Sequence, residues 1–279
     1  MLHRNKQTST KLYRRAALPS LLMLLSACSV MPQRDGGPAP GSIDVSSIPN
    51  AVPKVEPRSK YGNPSSYVVN GRRYHVMKSS KGYVERGIAS WYGKKFQGHR
   101  TSSGETYNMY AMTAAHKKLP LPSYVQVTNL RNGRIVIVRV NDRGPFQENR
   151  LIDLSYTAAA KLGIIKTGTG LVEVRAIDPR TYNGKWRSIQ VRAGKKSGGD
   201  KNPDFYIQVG AFSKLINAQN LRVKLASLTH GMVHISKADV NGARVYRVRI
   251  GPLSDVDVAD HIVTELDRLG MLEHHIVVD

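Results

Sequence analysis

The stretch Val125–Phe146 reads VQVTNLRNGRIVIVRVNDRGPF, and it decides the fold class. Val125–Asn129 and Ile135–Val140 are β-branched runs, and Asn132-Gly133 between them is a strong hairpin signal. The second run ends on Asn141-Asp142-Arg143-Gly144-Pro145, so a carboxylate is delivered at a strand end into a turn. Working outward, Ile88–Tyr92 and Leu171–Ile177 alternate in polarity as strands do. Leu154–Leu162 reads as a short helix with Ser155 as its cap and Gly163 as its stop. Many short strands separated by turn residues predict a small β-barrel.

Four side chains able to do chemistry fall in this block: Glu105, His116, Asp142 and Asp153. Each lies in or beside a turn, next to a strand. Cleavage of a sugar bond requires one carboxyl group that carries a proton and another group that stays charged, and carboxylates at strand ends suit it. Plainer readings stand beside this one. Asp142 suits a turn, Glu105 a solvated loop, and Asp153 the cap of the helix after it. His116 suits a core, a cap or a metal site, although no HxxxH or CxxC spacing supports a metal. Trp91 and Tyr92 suit either stacking on sugar rings or the core. No metal and no cofactor are expected.

The N-terminus predicts export. His3, Arg4, Lys6, Lys11, Arg14 and Arg15 form a basic region, and Ala16–Leu25 is an apolar run too short for an ordinary membrane-spanning helix. Leu25-Ser26-Ala27-Cys28 looks like a bacterial lipobox, and Cys28 is the chain's only cysteine. Lipidation accounts for a lone thiol in an exported chain. Ser29, rather than Asp, follows it, which predicts an outer-membrane anchor facing the periplasm. The formal charge of +22 is uneven, because residues 203–279 hold eight basic and nine acidic side chains. Export argues against nucleic acid as the partner of the basic part. Carboxylate-bearing peptidoglycan and anionic lipid fit better.

Ser29–Pro64 is rich in Pro, Gly and Ser without apolar periodicity and reads as a disordered tether. Tyr67–Met77 reads as a hairpin around Asn70-Gly71 or as a strand appended to the next domain. Residues 179–202 read as a linker. Beyond it an internal repeat appears, because Ile207-Gln208-Val209-Gly210-Ala211-Phe212-Ser213 matches Val248-Arg249-Ile250-Gly251-Pro252-Leu253-Ser254. Each copy is a strand, a glycine turn, an apolar plug and a serine placed to cap a helix. Ala218, Leu221, Leu225 and Leu228 share one helical face, as do Ala259, Ile262, Val263, Leu266 and Leu269 before Gly270. With strands near Val233–Ala238 and His275–Val278 the order is β-α-β-β-α-β: two helices on one face of a four-stranded sheet. Ile207, Val209, Val248 and Ile250 face the helices, leaving Gln208, Arg247 and Arg249 on the open face.

The residues Ala89-Ser90-Trp91-Tyr92-Gly93, Thr101-Ser102-Ser103-Gly104-Glu105, Thr113-Ala114-Ala115-His116, Leu119-Pro120, Val127–Leu130, Arg139–Phe146 and Ile152–Ser155 form an ordered motif series. This series resembles the double-psi β-barrel of the rare lipoprotein A family. Tyr206–Phe212 resembles the signature of the sporulation-related repeat (SPOR) domain. The resemblance implies a mainly β chain with an added α+β part. A six-stranded double-psi barrel is followed by a β-α-β-β-α-β domain of ferredoxin-like form. The organisation expected is a lipoprotein signal peptide (1–27), tether (28–66), catalytic barrel with its extension (67–178), linker (179–202) and SPOR domain (203–279). The resemblance also implies an endolytic lytic transglycosylase that acts on strands stripped of stem peptides at the division septum, with divisome proteins as possible partners. By the same resemblance Asp142 is first choice for the acid/base, Glu105 and His116 orient substrate or tune it, and Asp153 is a fourth candidate. Gln208, Arg247 and Arg249 would bind glycan, with Phe212 and Ser213 bordering the groove. A non-catalytic wall-binding lipoprotein, a hydrolase leaving a reducing end and an RNA-binding C-terminal module are the competing readings.

Overall fold

The computed structural model describes residues 36–38, 43–184, 203–229, 231–240 and 242–278. Cys28, the signal segment and residues 185–202 of the expected linker lie outside the described residues. The first regular unit is a hairpin, β1 (Ser66–Val69) with β2 (Arg72–His75). Its turn places Asn70 at φ 49° and Gly71 at φ 76°. Two consecutive positive φ angles match the right-handed twist of the strands, which is why Asn-Gly stands there. Of the two readings of Tyr67–Met77, the hairpin is the one found.

Six strands close into a barrel: β3 (Val84–Tyr92), β4 (Thr113–His116), β5 (Ser123–Asn129), β6 (Ile135–Asp142), β7 (Arg150–Ser155) and β8 (Gly170–Ile177). Around the barrel the order is β3-β7-β4-β6-β5-β8. The pairs β3–β7 and β4–β6 are parallel, and the others are antiparallel. The β5–β6 hairpin forms as its sequence predicts. Helix α1 (Tyr156–Leu162) is capped by the Ser155 side chain and stopped by Gly163 at φ 81°. Ala89, Ala114, Val125, Val127, Val138, Val140, Ile152, Leu154, Val172 and Val174 fill the interior.

The segment before β1 differs from the expected tether. Over residues 43–66 it is strapped to the barrel by specific bonds. Ala51 N donates to Ile137 O (3.1 Å), Ser59 N donates to Leu121 O (2.9 Å), and Asn63 Nδ2 donates to the same carbonyl (2.7 Å). Arg139 grips both oxygens of Glu56, at 2.9 Å each. Composition misled because this strap is held by backbone and polar side chains, which leave no apolar period to read.

The C-terminal domain orders β10 (Val233–Val240), β11 (Ala243–Leu253), β9 (Phe205–Phe212) and β12 (His275–Val278) side by side. Helices α2 (Leu215–Thr229) and α3 (Val256–Arg268) follow β9 and β11. Ile207, Val209, Val248 and Ile250 are buried in the domain's core, as alternation predicts. Asp255, and not Ser254, caps α3 by accepting from Asp257 N.

The two domains meet. Ile88, Leu130 and Leu171 belong to the buried cluster of the C-terminal domain rather than to the barrel interior. This explains why β3 loses its alternation: its outward Ile88 is covered. Arg150 forms a forked pair with Asp260 of α3, and Arg131 Nη2 donates to Ser254 O.

Candidate active site

Strand register builds the site. Ala115 of β4 pairs with Asp142 of β6 on one side and Asp153 of β7 on the other. Asp153 in turn pairs with Ser90 of β3. Directly paired residues project from the same face of a sheet. The row Asp142–Ala115–Asp153–Ser90 therefore presents two carboxylates with a methyl group between them. Neighbouring strands lie about 4.8 Å apart, so the two aspartate backbones are roughly 10 Å apart. Ala114, Val140 and Leu154, at adjacent positions, point the other way and fill the core.

Two register shifts make this row. Ala114 pairs with Val140 but Ala115 pairs with Asp142, so Asn141 is an extra residue in β6. A second shift lies between Ile88 and Ala89 against β7. Such bulges re-aim side chains beside functional sites. Without the first one Asn141, not Asp142, would face Ala115.

Asp142 is held as an acceptor. Its Oδ1 receives Ser102 N, Ser102 Oγ and Arg143 N, each at 2.7 Å. The Arg143 guanidinium turns away to the carbonyls of Gly62 (2.8 Å), His116 (3.0 Å) and Leu119 (2.5 Å), fastening the loop after β4. Asp153 has a different environment. Burial pushes its carboxyl above the ordinary range and the charge of Asp142 adds to that, while Ser90, Arg150 and Lys117 offset part of it. Ser90 Oγ donates to Asp153 Oδ1. Two carboxyl groups in one site thus have unlike surroundings, which is how acid and base roles separate.

Glu105 anchors the bulge. Its carboxylate takes Arg139 Nη1 at 2.8 and 2.9 Å and Asn141 Nδ2 at 2.9 Å. Burial works against its charge, yet Asn141 and Arg139 outweigh it and hold the carboxyl below its ordinary range. Glu105 is therefore a fixed anion, and it acts on Asp142 through Asn141. His116 points into the barrel end and is 1% exposed. Its Nδ1 accepts Lys118 N (3.1 Å) and Leu119 N (3.0 Å), so the proton sits on Nε2, 2.8 Å from the Tyr83 hydroxyl. Burial, aided by the charges of Arg143, Lys118 and Lys117, pushes the imidazole down to about 3. Neutral and enclosed, it shapes the turn, and no described bond joins it to either aspartate.

Sequence reading left Tyr92 open between core and sugar stacking. It shares a face with Ser90, two residues before it, and packs with Ala115, Tyr107 and Met109. Its ring stacks on Tyr107 at 4.2 Å, so it is no exposed platform. Its hydroxyl is shielded from solvent with that of Thr113 as its neighbour, and Thr113 offsets part of the shift that burial imposes on it. Burial first, then Tyr107, Asp142 and Asp153, push the phenol well above its ordinary value, so it stays a neutral donor beside both carboxyl groups. Ser90, Ala115 and Ser102 were missed as site members, because the strand register that aligns the first two and the loop fold that brings Ser102 to Asp142 leave no mark in sequence.

On the C-terminal sheet, pairing places His275, Gln208, Arg249 and His234 in one row across all four strands. Arg249 Nε approaches Gln208 Oε1 at 3.4 Å and lies over the Tyr206 ring. Arg247 is opposite Ser236 and Ala211. Phe212 lies over Gly210, where an added Cβ would come within 2.8 Å of its ring, and it packs against the domain core. Ser213 is exposed.

The closed six-stranded barrel followed by a four-stranded sheet with two helices defines a double-psi β-barrel protein with an appended SPOR-type domain. The family model described as lytic transglycolase matches residues 84–175, and that of the SPOR domain matches 201–277. The chain is 41% identical over 273 residues to the endolytic peptidoglycan transglycosylase RlpA of Pseudomonas aeruginosa, covering 81% of this chain and 79% of that one. It is 37% identical over 254 residues to the RlpA of Vibrio cholerae, covering 90% and 91%. The solved SPOR domain of the Pseudomonas aeruginosa RlpA is similar at 30% identity, covering 26% of this chain and 96% of that one with TM-score 0.25. The chain belongs to the RlpA family and is a lytic transglycosylase that binds peptidoglycan.

Proposed function

We propose that this enzyme cleaves the β-1,4 bond between N-acetylmuramic acid and N-acetylglucosamine inside glycan strands and closes a 1,6-anhydro ring. The observation that carries this reading is the register that sets Asp142 and Asp153 on either side of Ala115. Asp153, raised by burial, carries the proton that goes to the leaving O4 of N-acetylglucosamine as the C1–O4 bond breaks. The muramyl 6-hydroxyl attacks C1, and its proton goes to Asp142, an acceptor by its surroundings. The net result moves one proton from Asp153 to Asp142, and exchange with solvent restores both. No water is consumed. Asp142 also supplies negative charge beside the oxocarbenium-like transition state. This assignment places the acid on Asp153 and the base on Asp142, with Glu105 and His116 as positioning groups.

The reading extends to strands lacking stem peptides. The SPOR domain, through the row containing Gln208 and Arg249 and through Arg247, would direct the enzyme to the division septum. Acylation of Cys28 would anchor it to the outer membrane, facing the periplasm. Mass spectrometry of products from purified peptidoglycan tests the chemistry. Ends one water lighter than hydrolysed ends are expected, and both Asp142→Asn and Asp153→Asn should lower their yield at least a hundredfold while remaining folded. Reducing ends of full mass would show a hydrolase.

A further inference from the structure

Two residues along the chain from Ala115 and two along β7 from Asp153, at Lys117 and Leu151, lies a cavity of about 540 Å³. Six lysine and arginine side chains line it against two glutamates, and β12 closes one side. Three of the six are already matched, Arg72 with Glu148, Arg86 with Glu173 and Arg150 with Asp260, and Arg73 and Lys118 are exposed to solvent. Lys117 is neither. It follows β4 directly, two residues beyond Ala115, and is half-buried. Its Nζ donates to Arg150 O at 2.8 Å, and no carboxylate lies within ion-pair distance among the described residues. Burial pushes its ammonium down, and the more distant charges of Glu148 and Asp153 offset part of that. A partly desolvated ammonium without a counter-ion is costly, and an incoming anion offsets the cost.

A second observation lies in the same cavity. Asn149, at φ 61° between Glu148 and Arg150, has both its Nδ2 and its Oδ1 shielded and without any partner. A buried amide with donor and acceptor both unmet is rare in a finished core. An amide with unmet donor and acceptor complements another amide, and an ammonium that lacks an ion-pair partner complements a carboxylate.

We propose that this cavity is a carboxylate-binding subsite of the glycan cleft, with Lys117 receiving the carboxylate and Asn149 the neighbouring acetamido group. N-acetylmuramic acid carries these two groups on adjacent ring carbons, the acetamido at C2 and the lactyl ether at C3. Its lactyl carboxylate is free where the stem peptide has been removed and is an uncharged amide where the peptide remains. The ligand committed to is the lactyl carboxylate. The terminal carboxylates of stem peptides have the same chemistry and are the other source. The inference rests on the transglycosylase reading above and adds to it a residue that chooses among strands.

The test compares four glycan substrates with the full chain: strands freed of peptides, the same strands with the lactyl carboxylate converted to the methylamide, peptide-bearing strands, and peptide-bearing strands with the peptide carboxylates amidated. Turnover and equilibrium binding are both measured. The native protein is expected to prefer free-carboxylate over amidated strands. Lys117→Gln keeps a donor for the Arg150 carbonyl and removes only the charge. The ratio of kcat/KM on free to amidated strands should fall about tenfold or more, the size of one charge-assisted hydrogen bond. Lys117→Met, which keeps the length of the side chain, should give the same loss of ratio. If the ratio falls instead between peptide-bearing strands and strands whose peptide carboxylates are amidated, the site stands and the stem is its carboxylate source. Equal loss on every substrate, or a native protein indifferent to amidation, overturns the subsite. Absence of anhydro ends from all substrates, with the binding preference intact, would sink the catalytic reading and leave the subsite standing.

Discussion

Single atoms decide the site. The Tyr92 hydroxyl is buried beside Thr113, within the field of both Asp142 and Asp153, with its ring locked against Tyr107. Tyr92→Phe removes that one oxygen and keeps the stack. It should lower kcat roughly tenfold to a hundredfold with an unchanged thermal midpoint, as loss of a donor that orients a reacting carboxyl would. Equal kcat in the two proteins would reduce Tyr92 to packing. Asp153 makes a second test. Burial disfavours its charged form, so folding favours the protonated acid, and its ionisation weakens the fold as pH rises through its raised value. Asp153→Asn should therefore lose activity while its midpoint at pH 7.5 stays level or rises by about 1–4 °C. In the native enzyme kcat/KM should fall on the alkaline side, where Asp153 gives up its proton, and that limb should be missing from the residual activity of the variant. His116 has the opposite sign. Its native form stays neutral down to about 3, whereas the unfolded chain takes a proton below about 6.5. Stability present above that value is lost as pH falls, at about 1.4 kcal/mol per pH unit. His116→Gln should flatten this slope in denaturation curves taken from pH 7 to 4.

At the scale of elements, the β6 bulge is the working part. Asn141 is the extra residue, Glu105 holds its amide, and Arg139 ties Glu105 to Glu56 of the N-terminal strap. A segment with the composition of a linker thus braces the strand end that carries Asp142. Glu56→Gln should cost about 1–2 kcal/mol of stability, the range for a charge-assisted bond that is partly exposed. It should also lower kcat more than KM, because the bulge loosens. An unchanged kcat with the stability loss present would confine the strap to a structural role. Ala115 has an equally local consequence. It is the small side chain between the two aspartates, so Ala115→Leu should fill the space that the proposed mechanism assigns to the sugar bond. Glycan cleavage should be abolished while the strand pairing, read by circular dichroism, stays native.

At the scale of the whole molecule, the catalytic barrel and the SPOR domain share a face. Ile88, Leu130 and Leu171 are buried by it, and the Arg150 side chain, 4% exposed, donates from both its Nη atoms to Asp260. Removing one partner leaves a buried guanidinium unpaired, which costs several kcal/mol when fully enclosed. Asp260 is 29% exposed, so Asp260→Ala should cost less, about 1–3 kcal/mol. Calorimetry should then show the domains melting in two steps rather than together. A single, unshifted transition would mean that the domains do not support each other.

The sequence alone determined the elements and their chemistry. β-Branched runs around Asn132-Gly133, the Ser155 cap and Gly163 stop, and the twofold strand–turn–helix repeat were legible because they depend on residues near one another in the chain. The motif series also determined the family. Tertiary structure decided which face each side chain joins. The extra residue at Asn141 turns Asp142 toward Asp153, and neither the parity of β6 nor its partner strands can be counted from sequence. The same holds for His116, whose enclosure comes from a strand and a loop distant in sequence, and for Ile88, whose cover is another domain. Local pattern depends on nearest neighbours. Register and burial depend on residues brought together only by closing the barrel, and protonation follows from that burial.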